Sequence, residues 1–141
     1  KGSFMIKNNE KTEIKISNNK DITKFKILVS RHHLREEDKE FINQLKITNY
    51  VKKGSAGLKI SDIANGSVEL YFSSTNKIKI WDTCAAHCIL EEAGGKITNM
   101  DGNNLSYEKG IAHTNGILAS NGLKHNEIVQ QYNIFTDNFK K

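Results

Sequence analysis

Asp82 is the residue of this chain whose neighbours most directly suggest chemistry. It lies in IWDTCAAHCILEEAGG, Ile80 to Gly95, a segment typical of a strand end followed by a helix that two glycines terminate. At the expected N-cap of that helix, its carboxylate would accept hydrogen bonds from free N–H groups, a contribution of about 1 kcal/mol. The carboxylate could also bind a hard cation such as Mg²⁺, beside a helix N-terminus suited to phosphate. Local sequence leaves both interpretations open.

Two further stretches carry side chains suited to an anionic ligand. Gly54-Ser55-Ala56-Gly57 offers a hydroxyl and unhindered backbone N–H groups at the expected start of a helix, and Lys59 follows. His32 and His33 end the run Ser30-Arg31-His32-His33, which follows a predicted strand, and ligands of open α/β sheets bind beyond the carboxyl ends of strands. The alternatives are an ordinary strand-to-helix turn and a surface loop.

Other reactive side chains fit a structural role better. Cys84, His87 and Cys88 lie within one helical turn, but they lack further ligands at the spacing of a zinc site, and small cysteines are common core residues. The acids at 36–38 fall in the first turn of a predicted helix, where the helix dipole favours them. Those at 91–92 precede a helix end. We expect neither the acids at 36–38 nor those at 91–92 to form a metal site.

The elements that must position these residues follow from hydrophobic spacing. Two short alternating runs on either side of residues 8–11 predict a β-hairpin with an Asn-rich turn. From Phe25 onward, predicted strands at 25–29, 47–51, 68–72, 96–100 and 116–120 alternate with amphipathic helices. In the helix after Trp81, the apolar face is expected to consist of Ala85, Ala86, Ile89, Leu90 and Ala93. The pattern predicts a layered α/β/α fold on a mostly parallel five-stranded sheet.

Composition limits the class of protein. The chain has 141 residues, 37% of them hydrophobic and 26% charged, which suits a single globular domain. Neither a membrane span nor a signal peptide is expected. Two cysteines do not make a disulfide framework, which favours a reducing, cytoplasmic compartment. The net charge of +5 is scattered, so it indicates either a solvated basic surface or attraction of an anionic ligand, and not nucleic-acid binding.

Several motifs together resemble one family. The stretch WDTCAAHCILEEAGGKITNMDGNNLSY, followed by NGILASN, is similar to the C-terminal half of the inositol monophosphatase superfamily, which comprises Mg²⁺-dependent phosphomonoesterases. SRHH, GSAGLK and WDTCA are most similar to its 3′(2′),5′-bisphosphate nucleotidase branch, the CysQ-like enzymes. KGSF resembles the short glycine motif before the family's central hairpin. The resemblance extends to about Asn121.

The resemblance implies roles for individual residues. It makes Asp82 a ligand of a catalytic Mg²⁺, with capping as a compatible second role. It places His33, Ser55 and Lys59 at the nucleotide, where they bind substrate and perform no chemistry. His32 stands where the branch has a small hydroxyl residue. Ser73 stands where many relatives have an arginine, so the resemblance implies either that recognition of the adenosine differs here or that Lys77 or Lys79 substitutes for the arginine.

The resemblance also implies that part of the active site lies elsewhere. The family's other metal ligands include an Asp-Pro-x-Asp-Gly-Thr turn, and this sequence has no proline. We therefore expect residues 1–20 to be a hairpin from the middle of a parent enzyme and residues 21–141 to be its C-terminal lobe, inactive alone. The missing N-terminal lobe would be its partner, and its absence would favour self-association.

The implied function is removal of the 3′-phosphate from a nucleotide such as adenosine 3′,5′-bisphosphate, or from its 5′-phosphosulfate counterpart, by metal-activated water. Such a phosphatase would belong to sulfur metabolism. The alternatives are an inositol monophosphatase or other sugar phosphatase of the same superfamily, and a non-catalytic module that binds a nucleotide or a partner protein.

Overall fold

A computed structural model describes residues 1–32, 34–108 and 110–139 and shows a hairpin followed by alternating strands and helices. No helix formed by these residues is both long and apolar enough to cross a bilayer. The elements are β1 Ser3–Lys7, β2 Glu10–Ile14, a 3₁₀ turn Ile22–Lys24, β3 Lys26–Ser30, α1 Glu36–Gln44, β4 Asn49–Lys53, α2 Ala56–Ala64, β5 Leu70–Ser73, α3 Ile80–Glu92, β6 Lys96–Thr98, β7 Ile117–Ser120 and α4 His125–Phe139.

Five strands form one sheet in the order β4-β3-β5-β7-β6. Strands β4 and β5 both run parallel to β3, whereas β7 runs antiparallel to its neighbours β5 and β6. Four strands therefore point the same way and β7 alone is reversed, which confirms the predicted mostly parallel sheet.

The sheet is covered by helices on both faces because its strands alternate their side chains between two cores. In β3, Ile27 and Val29 pack with residues of α1 and α4, whereas Leu28 packs with residues of α2 and α3. Full burial of one such side chain contributes about 1.5–3 kcal/mol. The two cores confirm the predicted α/β/α layering.

The predicted N-terminal hairpin is present. Asn8 and Asn9 form its two-residue turn with φ values of 52° and 65°, the left-handed conformation that suits the twist of a hairpin and that asparagine tolerates better than most residues. Ser3 Oγ donates to the carbonyl oxygen of Ile89 at 2.6 Å, so the hairpin is bound to α3. The proposed division of the chain at residue 20 stays a prediction.

Helix α3 differs from the prediction in its first residue and in the face that packs on the core. Ile80 starts the helix and does not end a strand. The side chains buried within it are Thr83, Ala86 and Leu90, while Ala85 and Ile89 are exposed. Because apolar or small side chains occur on more than one side of this helix, its spacing does not identify the face that packs on the sheet. The expectation that Cys84 and Cys88 are core residues is also wrong, because both are exposed and free.

The end of α3 follows the prediction closely. Gly94 has φ of 100°, its N–H donates to the carbonyl of Glu91, and the Gly95 N–H donates to that of Leu90. These two bonds form a Schellman motif. At Gly95 a Cβ would collide with the Leu90 side chain and lie 2.8 Å from the Ser120 carbonyl oxygen, so glycine is also needed where the chain turns into β6.

His125 should make the stability of the fold pH-dependent. Its ring nitrogens are hydrogen-bonded to Ser120 Oγ at 2.7 Å and to Thr98 Oγ1 at 2.8 Å. Burial lowers the pKa of the imidazole to about 4. The unfolded chain, with a pKa of about 6.5, binds the proton first as the pH falls. Stability from this group is therefore complete above pH 6.5 and is lost as the pH falls toward 4, by about 2–3 kcal/mol at pH 4.5.

Urea unfolding of the natural chain and of His125→Gln at pH 7.5 and pH 4.5 measures this loss. The natural chain should lose about 2–3 kcal/mol more than the variant between the two pH values, because only its ring titrates. Equal losses in both proteins would contradict the buried neutral imidazole.

Candidate functional site

A cleft opens at the carboxyl ends of β3 and β5. These strands are neighbours, but the chain leaves β3 toward α1 on one face of the sheet and leaves β5 toward α3 on the other. Ligands of open α/β sheets bind in the crevice that such diverging connections create. The cleft has a volume of about 1000 Å³ and is lined by Ser30, Leu34, Arg35, Ser55, Ala56, Lys59, Tyr71, Ser73, Ser74, Thr75, Asn76, Lys77, Ile78 and Asp82.

Three of the four predicted site residues lie on this one cleft. Asp82 comes from the first turn of α3, Ser55 from the residue before α2, and Lys59 from within α2. His33, the fourth, lies outside the described residues. The structure thus places three of these residues on the same cleft, and the roles of all four stay predictions.

The prediction that Asp82 is the N-cap of α3 is wrong. The N-cap is Lys79, and Asp82 is the third helical residue. Its carboxylate Oδ2 accepts a hydrogen bond from the Lys79 N–H at 3.0 Å. This is the acidic half of a capping box, without its usual counterpart, because a lysine side chain has no acceptor atom. Across the described ranges no residue donates to Oδ1, so one carboxylate oxygen of Asp82 stays available to the cleft.

Asp82 fits one ligand position of a Mg²⁺ ion and no more. Within residues 1–32, 34–108 and 110–139, no three side chains of His, Cys, Asp or Glu are grouped closely enough to hold a metal. A hard divalent cation needs several oxygen ligands. The described part of the chain can thus contribute a carboxylate to such a site, but it does not form the site.

Lys59 is a buried cation on the cleft. It is 4% exposed, and its ammonium lies 4.5 Å from the centroid of the Tyr71 ring. No carboxylate among the described residues forms an ion pair with it, and burial lowers its pKa. Burying an unpaired charge is costly, and the attraction of an aromatic face offsets only about 0.5–2 kcal/mol of that cost. A buried, unpaired cation of this kind can accept an anion that comes from outside the chain.

Ser55 has the left-handed φ of 62°, which is uncommon for a residue with a Cβ and costs roughly 1–2 kcal/mol. Its Oγ accepts a hydrogen bond from the Leu58 N–H at 3.4 Å and so caps α2. Gly57 allows α2 to approach α3, since a Cβ there would lie 3.3 Å from the Asp82 carbonyl oxygen. The Gly/Ser turn therefore brings the beginnings of two helices together at the cleft.

Sequence reasoning missed a buried acid behind the cleft. Asp38, one of the acids that the sequence places in the first turn of α1, is 3% exposed. It accepts a hydrogen bond from Ser74 Oγ at 2.6 Å, and burial raises its pKa. Its position three residues before Phe41 and four before Ile42, both buried, is the signal that could have placed it on the core side of the helix.

The cleft contains one of the two lysines proposed to replace the missing arginine at Ser73. Lys77 lines the cleft. Lys79 is not among the lining residues, and its N–H is bonded to Asp82. Arg35, which the sequence did not single out, also lines the cleft, from the opposite side of the sheet to Lys59.

A hydrogen-bonded network fixes α3 to the loop that follows β6. Thr83 Oγ1 bonds to His113 Nε2 at 2.6 Å and to the Tyr107 hydroxyl at 3.1 Å. His87 bonds through Nδ1 to that hydroxyl and through Nε2 to Glu91. His87 is thus committed to neighbouring side chains, and the network holds the first turn of α3, which carries Asp82, in place.

Known proteins share both the sequence and the fold. Residues 1–134 match the family model described as the inositol monophosphatase family. The 3′(2′),5′-bisphosphate nucleotidase of Dictyostelium discoideum is 37% identical over 139 residues, 91% of this chain and 42% of that protein. The 3′(2′),5′-bisphosphate nucleotidase 1 of Rattus norvegicus is 35% identical over 96 residues, 67% of this chain and 31% of that protein.

A solved structure shows the same architecture. The inositol monophosphatase from Anabaena superposes with a TM-score of 0.70 at 28% identity, covering 84% of this chain and 47% of that one. The chain therefore spans less than half the length of the relatives that it matches.

Proposed function

The chain belongs to the inositol monophosphatase family, and we propose that it forms one wall of the active site of a phosphatase that removes the 3′-phosphate of adenosine 3′,5′-bisphosphate or a similar nucleotide. The nucleotidase relatives, at 35% and 37% identity, support this choice of substrate. The enzyme would be cytoplasmic and Mg²⁺-dependent.

The observation that carries the proposal is the presence of Lys59 and Asp82 on one cleft. A phosphorylated substrate needs a fixed cation to neutralise its charge, and Lys59 is a buried cation with no acidic partner among the described residues. A metal needs a carboxylate oxygen on the same cavity, and Asp82 Oδ1 is available. Ser55 would add a hydroxyl, and His33 a further contact to the nucleotide.

A bound Mg²⁺ would activate a water molecule and neutralise charge on the phosphate. The residues of this chain would orient the reactants. Asp82 would hold its position because its carboxylate accepts a hydrogen bond from the Lys79 N–H and the Thr83 network fixes the first turn of α3. Lys59 would hold the substrate in a fixed position, since the ring of Tyr71 limits where the Lys59 ammonium can lie.

The remaining catalytic acids would come from an N-terminal lobe that corresponds to the part of the relatives this chain does not match. Such a lobe could cover apolar side chains that α3 and the hairpin expose, among them Trp81 at 61% and Ile6 at 73% exposure, with Phe4, Met5 and Ile89 also exposed. Contiguous apolar patches beyond a few hundred Å² seldom stay bare on soluble monomers. We propose that the chain alone self-associates through these side chains.

Two other functions have specific support. The Anabaena structure, an inositol monophosphatase, favours an inositol or sugar phosphate, as does Ser73 in place of an arginine. The lack of a three-residue metal cluster in the described ranges favours a non-catalytic module that binds a nucleotide or a partner. The nucleotidase function explains more directly than either alternative why Lys59 and Asp82 lie on the same cleft.

Lys59→Met tests the proposal. A lysine retained to bind an anion lowers stability in the free protein, so the variant should bind adenosine 3′,5′-bisphosphate at least about tenfold more weakly, the scale of one charged hydrogen bond. It should also unfold a few degrees higher, because no charge is buried. Calorimetric titration and thermal unfolding measure the two effects.

Lys11→Met is the matched control. Lys11 also lies over an aromatic ring, 4.2 Å from the centroid of Phe4, but it is exposed and is not among the residues that line the cleft. Its removal should leave nucleotide affinity unchanged. Equal affinity of the natural chain and Lys59→Met would contradict the proposed role of the cleft.

A further inference from the structure

Arg35 enters the cleft from the side opposite to Lys59. It precedes α1, which covers one face of the sheet, whereas Lys59 lies on α2, which covers the other. The cleft thus has two cations reaching it from separate faces, and the residues after β5 also line it. One phosphate group held by Lys59 would leave the Arg35 side of the cleft for a different part of the ligand.

The guanidinium of Arg35 is held by the loop after β5. Its Nη1 donates to Ser74 Oγ at 2.8 Å and to the Ser74 carbonyl oxygen at 3.4 Å, and its Nη2 donates to Glu37 at 3.1 Å. A guanidinium has five N–H donors, and among the described residues the Nε–H donates to none. Donors therefore remain for a ligand after the side chain is fixed.

The support for this arrangement is built into the core. Ser74 Oγ accepts from Arg35 and donates to Asp38 Oδ1 at 2.6 Å, while the Ser74 N–H faces Asp38 Oδ2 at 3.4 Å. Asp38 is 3% exposed and also lies near Tyr132. A buried carboxylate thus fixes both the loop and the hydroxyl on which the guanidinium rests.

The charge of the cleft favours a ligand with more than one anionic group. Its lining includes three cationic side chains, Arg35, Lys59 and Lys77, against the single carboxylate of Asp82, while Glu37, outside the lining, forms an ion pair with Arg35. A planar guanidinium can bind two oxygens of one phosphate at once, which a lysine cannot do.

We propose that Arg35 is a specificity-determining residue that binds a second phosphate of the ligand, and that Asp38 positions it through Ser74; this inference rests on the proposed nucleotide-binding function of the cleft. A bisphosphate would then use both sides of the cleft, whereas a monophosphate would use one.

Calorimetric titrations of the natural chain with adenosine 3′,5′-bisphosphate, adenosine 3′-monophosphate and adenosine 5′-monophosphate test the inference. The natural chain should prefer the bisphosphate to at least one monophosphate by about tenfold or more, and Arg35→Gln should reduce that preference to about threefold or less. Arg35→Lys should fall between, because it keeps the charge and loses the paired donors. Ser74→Ala should lose part of the preference with Arg35 still present.

Lys39→Gln is the control for charge, because it removes one cation from the exposed side of the same helix, outside the lining of the cleft. Two negative outcomes are distinct. If the natural chain prefers the bisphosphate and Arg35→Gln keeps that preference, the inference on Arg35 is overturned while the proposed function stands. If none of the three nucleotides binds the natural chain, the proposed function fails and the inference fails with it.

Discussion

Incubation of this chain with adenosine 3′,5′-bisphosphate and Mg²⁺ is expected to release no phosphate above the rate in a protein-free blank. Metal-assisted hydrolysis of a phosphate ester requires cations held in a fixed position, and the described residues offer Asp82 without the two or three further acids that would complete a site. The contacts proposed for Lys59 and Ser55 would bind the substrate but would not activate water.

The assay compares the chain with the Dictyostelium nucleotidase at equal concentration. Cooperative thermal unfolding of the chain shows that it is folded during the assay. Turnover near ~10 s⁻¹, the median for enzymes, would contradict the account, because it would require a complete catalytic centre within these residues. A complete loss of the Dictyostelium activity under the same conditions would show that the assay itself had failed.

Much of the fold could be predicted because the relevant signals are local. The Asn-Asn turn, the alternating strand residues and the Gly94-Gly95 helix end each depend on residues within a few positions of one another. The alternation of those strands and helices predicts a sheet covered by helices on both faces. The predicted bounds of β3 differ from the observed ones by a single residue.

The errors share a different physical cause. Asp82 was assigned to the N-cap because the apolar residues before it, Ile80 and Trp81, suit a strand as well as a first helical turn. The buried face of α3 was misassigned because both sides of that helix are apolar. Neither choice is determined by spacing alone, since contacts with residues distant in sequence decide it.

The cleft was only partly predictable for the same reason. Asp82, Ser55 and Lys59 came from motifs that resemble a family. Arg35 and Ser74 have no motif, and they lie 39 positions apart in the sequence. Their contact, and the buried Asp38 beneath it, depends on β3 and β5 being neighbours in the sheet. That neighbourhood is a property of strand order, which the sequence pattern does not specify.

The second large effect is expected at Asp82 itself. As a member of the first turn of α3, Asp82 accepts a bond from the Lys79 N–H, and an asparagine oxygen can accept the same bond. Asp82→Asn should therefore lose only the favourable negative charge at a helix N-terminus. This loss lowers the free energy of unfolding by about 0.3–1 kcal/mol and the unfolding midpoint by a few degrees at most. As a Mg²⁺ ligand the residue must be charged, so the same change should be severe for catalysis.

The test uses an enzyme in which this chain replaces the matching 42% of the Dictyostelium nucleotidase. In that enzyme Asp82→Asn should reduce kcat/KM by at least ~100-fold, the scale of ~3 kcal/mol of transition-state stabilisation, and should raise the Mg²⁺ concentration needed for activity. Asp137→Asn, an exposed position on α4, is the control and should change neither quantity.

The Mg²⁺ dependence of kcat/KM in these three enzymes is the most direct measurement of the central claim, that this chain contributes Asp82 to a catalytic metal site. The account predicts a large loss of activity and a weaker apparent Mg²⁺ affinity for Asp82→Asn, with little change in its thermal stability. If Asp82→Asn instead retains the activity and the Mg²⁺ dependence of the unsubstituted enzyme, Asp82 only caps a helix, and the cleft is not the wall of a metal-dependent active site.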